Sequence, residues 1–372
     1  MIGGLVSNMK AIVLAGGFAT RLRPLTLTRP KPLLPILDKP LLDWIINSLA
    51  ESGCGSVIIS VKYLADTIKR YINNNNIYGI KISFAEEVRP LGDAGPIRLV
   101  NDLYGLDSTF LVVYGDVFSN VNFGDVVKFH KNHDGLATMV ITEVEDPSRY
   151  GATIYNEDGK VLKFVEKPPK DKYISNMVNA GVYVFEPEVL KYIPESPSKL
   201  AKDVLPKLVN DGALYVYKHE GIWMDIGLPS DYLKANFEAL RFYYPNGYLS
   251  SSSSIDGAEV IQPSYISADV KLGSMCKVGP YAIIGSNSII GPAVRIKNSL
   301  LFNNVMIDEG ALVNSSLIGE RSIIGKWVRI EAGSVIGDEV IIRDEVFIPK
   351  KTIILPYKEV DSSIEKEGDV LL

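Results

Sequence analysis

A pair of glycines followed by four basic side chains lies near the start of the chain. Gly16 and Gly17 come directly after the short apolar run Ala11–Leu14. The basic residues that follow are Arg21, Arg23, Arg29 and Lys31. Glycine leaves the backbone N–H uncovered, and guanidinium or ammonium groups supply charge for a polyanion. Since open α/β sheets bind ligands at the carboxyl ends of their strands, this segment predicts a grip for a triphosphate.

An aspartate stands in a similar place further along the chain. Asp116 follows Gly115 at the end of the apolar run Phe110–Tyr114. A Gly-Asp pair alone is usually a turn, but here the carboxylate would face the same edge of a sheet as the glycine pair.

Composition limits the kind of protein. The chain has 372 residues, enough for two domains, with 47% hydrophobic residues and a net charge of −5. This balance argues against general binding of nucleic acids or anionic membranes. Two distant cysteines, Cys54 and Cys276, predict a reducing, cytoplasmic compartment. No apolar run reaches the length of a membrane span, and residues 1–9 are interpreted as an N-terminal extension without signal-peptide character.

Strand-like and helix-like patterns alternate over residues 10–245 and must position these side chains. The predicted strands include Ala11–Leu14, Ser56–Val61, Ile80–Ala85, Phe110–Tyr114 and Leu136–Ile141. The predicted helices include Leu41–Glu51, Leu64–Ile72, Ala94–Tyr104, Phe123–His133 and Pro229–Leu240. Alternation of this kind predicts an α/β, Rossmann-like, doubly wound and mainly parallel sheet. His130 and His133 share a helix face, which is expected to be solvated because no set of metal ligands accompanies them.

The hydrophobic period changes to six after a serine-rich stretch, which predicts a linker at residues 246–257 and a second domain at 258–372. Aliphatic residues recur every six positions from Val260 to Ile296, and again in a shifted phase from Leu300 through Met306 and Leu312 to Ile348. One hexad makes a short strand and three make a triangular coil. The repeat therefore predicts a left-handed parallel β-helix of roughly five coils, with these residues inside.

Several motifs together resemble the sugar-1-phosphate nucleotidyltransferase family. The first is L-A-G-G-F-A-T-R-L-R-P-L-T, followed by R-P-K-P-L-L-P. P-L-G-D-A-G-P-I, Y-G-D, S-R-Y-G, E-K-P, N-A-G-V-Y and W-M-D-I-G follow in the family's order. The stretch S-S-L-I-G-E-R-S-I-I-G-K-W-V-R-I-E is similar to the β-helix of mannose-1-phosphate guanylyltransferases. The resemblance is nearly full-length.

The resemblance implies a reaction and the residues that carry it. A sugar-phosphate oxygen would attack the α-phosphate of a nucleoside triphosphate, most simply GTP with mannose 1-phosphate, and release pyrophosphate. The main task is then to neutralise two polyanions. The catalytic residues implied are Arg21, Lys31, Asp116, Lys167 and Asp225. Of these, Asp116 and Asp225 would hold Mg²⁺, which takes one or two carboxylates plus substrate phosphates.

Two further sets of residues would bind the substrates. The nucleotide set is Leu14, Ala15, Gly16, Gly17, Glu87, Leu91 and Gly92. The sugar-phosphate set is Gly151, Glu166, Lys167, Asn179 and Gly181. A carboxylate at Glu87, or at its neighbour Glu86, would accept hydrogen bonds from guanine.

Three positions depart from the family pattern. Ala19 stands where glycine is usual, so a left-handed backbone there would be strained. Asp93 replaces a threonine, which would place a negative charge near the nucleotide, and Tyr114 replaces a smaller residue.

Other functions remain open on the sequence. A glucose-1-phosphate enzyme that uses UTP, dTTP or ATP is one, and a non-catalytic regulatory relative that binds a nucleotide sugar is another. An acyltransferase β-helix is disfavoured because all three histidines precede the repeat. The β-helix is instead expected to join copies of the chain into a homo-oligomer.

Overall fold

The computed structural model describes residues 9–75, 78–169, 172–195 and 197–371, and these form two compact units. The first unit comprises the described residues up to Gly17 and from Leu41 to Met224. The second comprises Phe18–Pro40 and the chain from Asp225 onward. The glycine pair therefore belongs to one unit and the basic residues behind it to the other. Of the predicted extension, residues 1–8 lie outside the described residues.

The first unit is built on one nine-stranded sheet. Its main path runs, in spatial order, through Val161–Glu166, Gly151–Tyr155, Met177–Phe185, Phe110–Tyr114, Lys10–Leu14, Ser56–Val61 and Lys81–Glu86. Ala137–Glu143 and Leu214–Lys218 complete it. The strand Lys10–Leu14 pairs in parallel with Ser56–Val61 on one side and with Phe110–Tyr114 on the other. Strand order thus reverses at Lys10–Leu14, and such a switch point forms a crevice at the carboxyl edge.

The sheet is mixed rather than mainly parallel. Met177–Phe185 runs antiparallel to Phe110–Tyr114 and to Ala137–Glu143. Two further strands of the unit are Val117–Ser119 and Trp223–Asp225, the latter ending at the first residue of the second unit. The helices of the unit are Leu41–Glu51, Ala65–Asn74, Gly95–Tyr104, Phe123–His130 and Leu205–Asn210. With this correction of strand direction, the predicted Rossmann-like fold is confirmed.

The second unit contains the β-helix, whose short parallel strands form three faces of eight, seven and six strands. The first face consists of Tyr248–Leu249, Tyr265–Ile266, Ala282–Ile284, Ser299–Leu301, Leu317–Ile318, Val335–Ile336, Ile353–Ile354 and Val370–Leu371. The second face consists of Ser254–Ile255, Lys271–Leu272, Ile289–Ile290, Met306–Ile307, Ile323–Ile324, Ile341–Ile342 and Glu359–Val360. The third face consists of Glu259–Val260, Lys277–Val278, Arg295–Lys297, Leu312–Asn314, Arg329–Ile330 and Phe347–Ile348. The predicted β-helix is thus confirmed.

The β-helix is longer than predicted and begins earlier. Three strands make one coil, so the three faces give about seven coils rather than five. The serine-rich stretch at 246–257 is not an unpaired linker, because Tyr248–Leu249 and Ser254–Ile255 already pair with the next coil. These strands were not predicted because serine interrupts the apolar period. Ser253 Oγ instead donates to the Ser267 carbonyl at 2.6 Å, a side-chain bond that an apolar period does not indicate.

The interior register also differs from the prediction in the middle of the repeat. Leu301, Ile307 and Val313 belong to the core cluster, whereas Met306 is 45% exposed. Two hexads are one residue short, after Ile296 and after Val313. Neighbouring residues of a strand point to opposite faces, so a shift by one exchanges inside and outside. The sequence could not decide, because both residues of each pair are apolar.

One helix and the segment Phe18–Pro40 accompany the β-helix in the second unit. The helix is Pro229–Tyr243, and its Tyr232 hydroxyl donates to the Pro35 carbonyl at 2.5 Å. The Tyr232 ring also meets Phe302 of the first face edge-on, with ring centroids 6.3 Å apart. The segment itself contains the turns Thr20–Leu22 and Lys31–Leu33 and the strands Pro35–Ile36 and Lys39–Pro40. Among the described residues, every helix is too short or too polar to cross a bilayer.

Candidate active site

The glycine turn lies at the switch point of the first unit. Leu14 is in register with Ser60 on one side and with Tyr114 on the other. The Ala15 N–H donates to the Ser60 carbonyl and the Gly115 N–H to the Leu14 carbonyl, both at 2.9 Å. These bonds hold the start of the turn at the sheet edge. Gly17 is exposed, and a Cβ there would meet no atom within 4 Å, so its backbone is open to a ligand.

Glu87 lies directly against Gly16. A Cβ on Gly16 would be 2.6 Å from Glu87 Oε1, so only glycine leaves room for this carboxylate. Glu87 is 8% exposed and accepts hydrogen bonds from Ser60 Oγ at 3.0 Å and from the Leu91 N–H at 3.2 Å. A carboxylate accepts about four bonds, so acceptor capacity remains for a base. Three predicted nucleotide residues, Gly16, Glu87 and Leu91, thus come together.

Sequence reasoning missed Ser60. Its hydroxyl fixes Glu87 from the strand Ser56–Val61, where Ser60 itself is fully buried. The available signal was one polar residue inside an apolar, buried strand, because such a hydroxyl needs a partner.

The loop Leu91–Gly92 is fastened to a distant segment of the same unit. Gly92 bridges Ser198 in parallel and has φ of 82°, and a Cβ there would be 2.0 Å from the Ser198 carbonyl oxygen. The Ser198 N–H donates to the Leu91 carbonyl at 2.9 Å. Glycine at 92 is thus required by backbone approach, and Leu91 is held in place beside Glu87.

Both oxygens of the Asp93 carboxylate accept hydrogen bonds from other residues of the first unit. Its Oδ2 accepts from the Tyr114 hydroxyl and its Oδ1 from the Leu200 N–H, both at 2.7 Å. Burial and the Asp93 carboxylate hold the pKa of Tyr114 well above its usual value, so Tyr114 stays a phenol that donates. The two departures from the family pattern are therefore partners.

The sugar-phosphate candidates cluster around two antiparallel strands. Gly151 is in register with Glu166, and a Cβ on Gly151 would lie 3.1 Å from Glu166 Oε2. Lys167 has φ of 46°, and its N–H donates to the Tyr150 carbonyl at 2.9 Å. Its side chain is 64% exposed, with Nζ 3.5 Å from Glu166 Oε1. Gly151, Glu166 and Lys167 thus form one group with an ammonium accessible to an anion.

Asn179 and Gly181 lie where the strand Met177–Phe185 changes register. Asn179 Nδ2 donates to the Tyr183 hydroxyl at 2.5 Å, and its Oδ1 accepts from the Gly181 N–H at 3.0 Å. Gly181 has φ of 75°, and a Cβ there would be 3.0 Å from the ring of Tyr114. Both ends of the Asn179 amide are therefore used within the strand, which shapes the backbone at Gly181.

The second unit carries Arg21, Lys31 and Asp225. Arg21 is exposed in the turn Thr20–Leu22. Ala19, before that turn, does adopt the left-handed conformation, with φ of 46° and ψ of 44°, and its carbonyl accepts from Thr26 Oγ1 at 2.9 Å. The left-handed backbone expected to be strained at Ala19 is therefore present, and the bond from Thr26 holds it.

Lys31 and Asp225, almost two hundred residues apart, face each other. Lys31 is 7% exposed and its Nζ lies 3.7 Å from Asp225 Oδ1. Arg29, by contrast, is not available to a polyanion. Its guanidinium bonds Glu320 and Asp338 of the β-helix, which removes it from the basic group identified in the sequence.

The donor chemistry suits a hard cation that shares its coordination with a substrate. Asp116 follows Gly115 in the turn after the strand Phe110–Tyr114, and Asp225 faces Lys31. Among the described residues, no group of three or more His, Cys, Asp or Glu side chains could hold a metal. An ion at either aspartate would therefore complete its shell with phosphate oxygens and water, as Mg²⁺ usually does.

Comparisons with known proteins find relatives over almost the whole chain. The family model described as nucleotidyl transferase matches residues 10–241, and that of the GMPPB C-terminal domain matches 260–370. A protein of Sulfolobus acidocaldarius, provisionally named mannose-1-phosphate guanyltransferase, is 48% identical over 98% of this chain and 100% of its own. The mannose-1-phosphate guanyltransferase of Schizosaccharomyces pombe is 38% identical over 98% and 100%. The crystal structure of HddC from Yersinia pseudotuberculosis complexed with GMP-PN superposes with a TM-score of 0.53 at 28% identity, over 62% of this chain and 99% of that one.

Proposed function

The chain belongs to the nucleotidyl transferase family, in the group of the mannose-1-phosphate guanyltransferases, and we propose that it forms GDP-mannose and pyrophosphate from GTP and mannose 1-phosphate. The observation that supports the choice of base is Glu87, a buried carboxylate between Gly16 and Leu91. Guanine carries two adjacent donors, N1–H and the exocyclic amine, and a carboxylate accepts from both. Adenine and the pyrimidines do not present this pair.

In the proposed reaction a phosphate oxygen of mannose 1-phosphate attacks the α-phosphorus of GTP. The bond from the α-phosphorus to the bridging oxygen breaks, and pyrophosphate leaves with that electron pair. No protein nucleophile takes part. The protein's task is to bring two polyanions together and to stabilise the charge that develops, which is the main requirement of phosphoryl-type transfer.

Each candidate has a proposed task in this step. The backbone at Gly17 binds the triphosphate, Arg21 the departing pyrophosphate and Lys31 the α-phosphate. Lys167 binds the sugar phosphate, beside Glu166. Members of this family generally use a divalent metal ion. We propose Mg²⁺ with Asp116 and Asp225 as its protein ligands, since carboxylates plus substrate phosphates suit this ion. When bound, it would supply positive charge to the phosphates.

The proposal extends to assembly and location. An apolar row on the second face of the β-helix consists of Ile289, Met306 and Ile323, which are in register and 41%, 45% and 39% exposed. We propose that this row joins copies of the chain into a homo-oligomer, because contiguous exposed apolar surface favours association. The cytoplasm remains the proposed compartment, in keeping with the free thiols Cys54 and Cys276.

A substrate panel tests the reaction. Pyrophosphate release would be measured with Mg²⁺ and every pairing of GTP, ATP, UTP and dTTP with mannose 1-phosphate and glucose 1-phosphate. We expect the highest kcat/KM for GTP with mannose 1-phosphate. Turnover of glucose 1-phosphate with any of the triphosphates, without turnover of mannose 1-phosphate with GTP, would contradict the proposed substrates. Binding of GDP-mannose without turnover of any pair would favour the regulatory relative.

Glu87→Gln tests the base assignment. The wild-type chain should prefer GTP over ITP, which lacks the exocyclic amine. Loss of the carboxylate should reduce this preference by about 10-fold or more, as expected for hydrogen bonds to a charged group. Glu86→Gln is the matched control, because Glu86 is exposed and bonds Lys69. If Glu86→Gln lowered the GTP preference and Glu87→Gln did not, the neighbouring carboxylate would be the one that binds the base.

A further inference from the structure

Arg29 lies in the segment Phe18–Pro40, here called the basic segment, two residues before Lys31. Its side chain is nevertheless directed at the β-helix. Its Nη2 is 2.7 Å from Glu320 Oε2 and 2.7 Å from Asp338 Oδ2. The guanidinium carbon also lies 4.7 Å from the centre of the Phe302 ring. These three partners belong to successive coils, so one arginine is fixed by the β-helix itself.

Asp338 connects the basic segment to the backbone of the β-helix. It is 3% exposed. Its Oδ2 accepts from Thr28 Oγ1 at 2.6 Å as well as from Arg29, while its Oδ1 accepts from the Glu320 N–H at 2.7 Å. One oxygen thus binds the basic segment and the other binds the preceding coil. A buried ion pair of this kind is costly to break on one side, because the remaining charge is left unpaired.

Stiff residues connect Arg29 to Lys31. Pro30 is buried with φ of −71° and ψ of 148°, and Pro32 follows Lys31. Proline fixes its own φ and restricts the residue before it, so little rotation is available between the two side chains. The turn is closed by the Leu33 N–H, which donates to the Pro30 carbonyl at 2.9 Å. A displacement of Arg29 would therefore move Lys31.

We propose that Arg29 and Asp338 are positioning residues, through which the β-helix sets the place of the Lys31 ammonium opposite Asp225. The inference rests on the proposed function of Lys31 at the α-phosphate. It gives the β-helix a direct role in the chemistry, in addition to any role in assembly. Arg29 itself is not assigned a contact with the phosphates, because its Nη2 already binds Asp338 and Glu320.

Asp338→Asn is the sharpest variant. The remaining amide oxygen can still accept from the Glu320 N–H, whereas the amide nitrogen is a donor and opposes the donors of Arg29. We expect kcat to fall by about 10-fold or more and KM for either substrate to change by less than about threefold, since Lys31 acts on the charge of the transition state. Amide exchange at Leu33 and Leu34 should accelerate in the same variant, with the core strands of the β-helix unaffected.

Glu359→Gln is the control, because it removes a carboxylate from Arg343 on the same β-helix without contact to the basic segment. It should keep wild-type kcat and wild-type exchange at Leu33 and Leu34. Wild-type kcat in Asp338→Asn would overturn the proposal, as would a loss of kcat without faster exchange there. If Asp338→Asn did not fold, Glu320→Gln would be measured by the same two criteria, with a loss of at least about threefold expected. Wild-type turnover in the substrate panel tests the proposed function separately.

Discussion

The charged residues of the candidate site are distinguished by their partners rather than by their types. Asp93 and Glu87 lie close together in the sequence, but Asp93 bonds Tyr114 and Leu200, whereas Glu87 keeps acceptor capacity beside Gly16. Arg29 and Lys31 differ in the same way. Arg29 is neutralised by the β-helix, and Lys31 faces Asp225. A carboxylate or cation whose bonds are already satisfied within the fold has little left to offer a substrate.

At the residue scale, Lys31→Met and Asp225→Asn test whether these two side chains act on the phosphates. Each removes a charge but keeps the approximate shape of the side chain. Because both are proposed to act on the phosphates, we expect kcat to fall by at least about 100-fold in each. Steady-state pyrophosphate release would measure this. Lys39→Ala, at an exposed lysine of the same segment, is the control and should stay within twofold of wild type by the same reasoning. Activity near that of wild type in both variants would remove these residues from the site.

At the scale of elements, the helix Phe123–His130 differs from its prediction. It ends at His130 instead of continuing to His133, and both imidazoles are buried or half-buried rather than solvated. The Gly135 N–H donates to His133 Nδ1, so His133 Nε2 carries the proton and bonds Thr138 Oγ1 at 2.7 Å. Thr138 in turn bonds His130 Nδ1 at 2.9 Å, and His130 Nε2 bonds Glu186 at 3.0 Å. The bond from the Gly135 N–H requires a neutral His133, and the bond from the Thr138 hydroxyl to Nδ1 requires a neutral His130, whereas the bond from His130 Nε2 to Glu186 forms in either protonation state.

This chain of bonds predicts how stability depends on pH. Burial lowers the pKa of His133 to about 4 and also lowers the pKa of His130. The unfolded chain therefore binds more protons than the folded one below about pH 6.5, the ordinary value for histidine. The free energy of unfolding should be at its full value above pH 6.5 and decrease as the pH falls toward 4.

Thermal unfolding between pH 7 and pH 4 would measure the effect. His133→Gln, which cannot titrate, should show a flatter dependence of Tm on pH than the wild-type chain. Asn132→Gln, at an exposed position just after the same helix, changes no titrating group and should keep the wild-type slope. An equal slope in all three proteins would show that His133 does not carry the dependence.

At the scale of the whole molecule, the faces of the β-helix differ in the exposure of their outward residues. The outward residues Ile283, Leu300 and Leu317 of its first face are buried. On the second face the apolar row of Ile289, Met306 and Ile323 is exposed. Removing the β-helix would also remove Glu320 and Asp338, the partners of Arg29, so truncation would not isolate assembly from activity. Point substitutions on the apolar row avoid this difficulty.

Met306→Glu with Ile323→Glu should disrupt self-association. Two carboxylates on adjacent strands repel each other across an interface and are costly to desolvate there. Light scattering should show a smaller species than wild type, with the circular dichroism spectrum unchanged. Arg295→Glu, on the third face, is the control and should leave the mass of the particle unchanged. An unchanged oligomer in the double variant would exclude the apolar row as the interface.

Elements with a strong hydrophobic period could be predicted well. The helix Leu41–Glu51 and the strands Ser56–Val61 and Phe110–Tyr114 have the predicted bounds, because their burial follows directly from residue type. The first coil of the β-helix at Ser254–Ile255 was missed, since its strands rely on backbone pairing with the next coil. The strand direction of Met177–Phe185 was likewise beyond reach, because pairing partners distant in sequence decide it.

The sequence by itself determined the family, the two kinds of architecture and the residues that could meet a nucleotide and a phosphate. These depend on residue type and spacing, which are local properties. Only the tertiary structure decided which partner each of these charged groups meets. Asp93 is bound to Tyr114, Arg29 is bound to Asp338, and Lys31 is placed opposite Asp225. The physical reason is that folding selects the partners of each charged group, and the partners here lie about twenty to three hundred residues away in the chain.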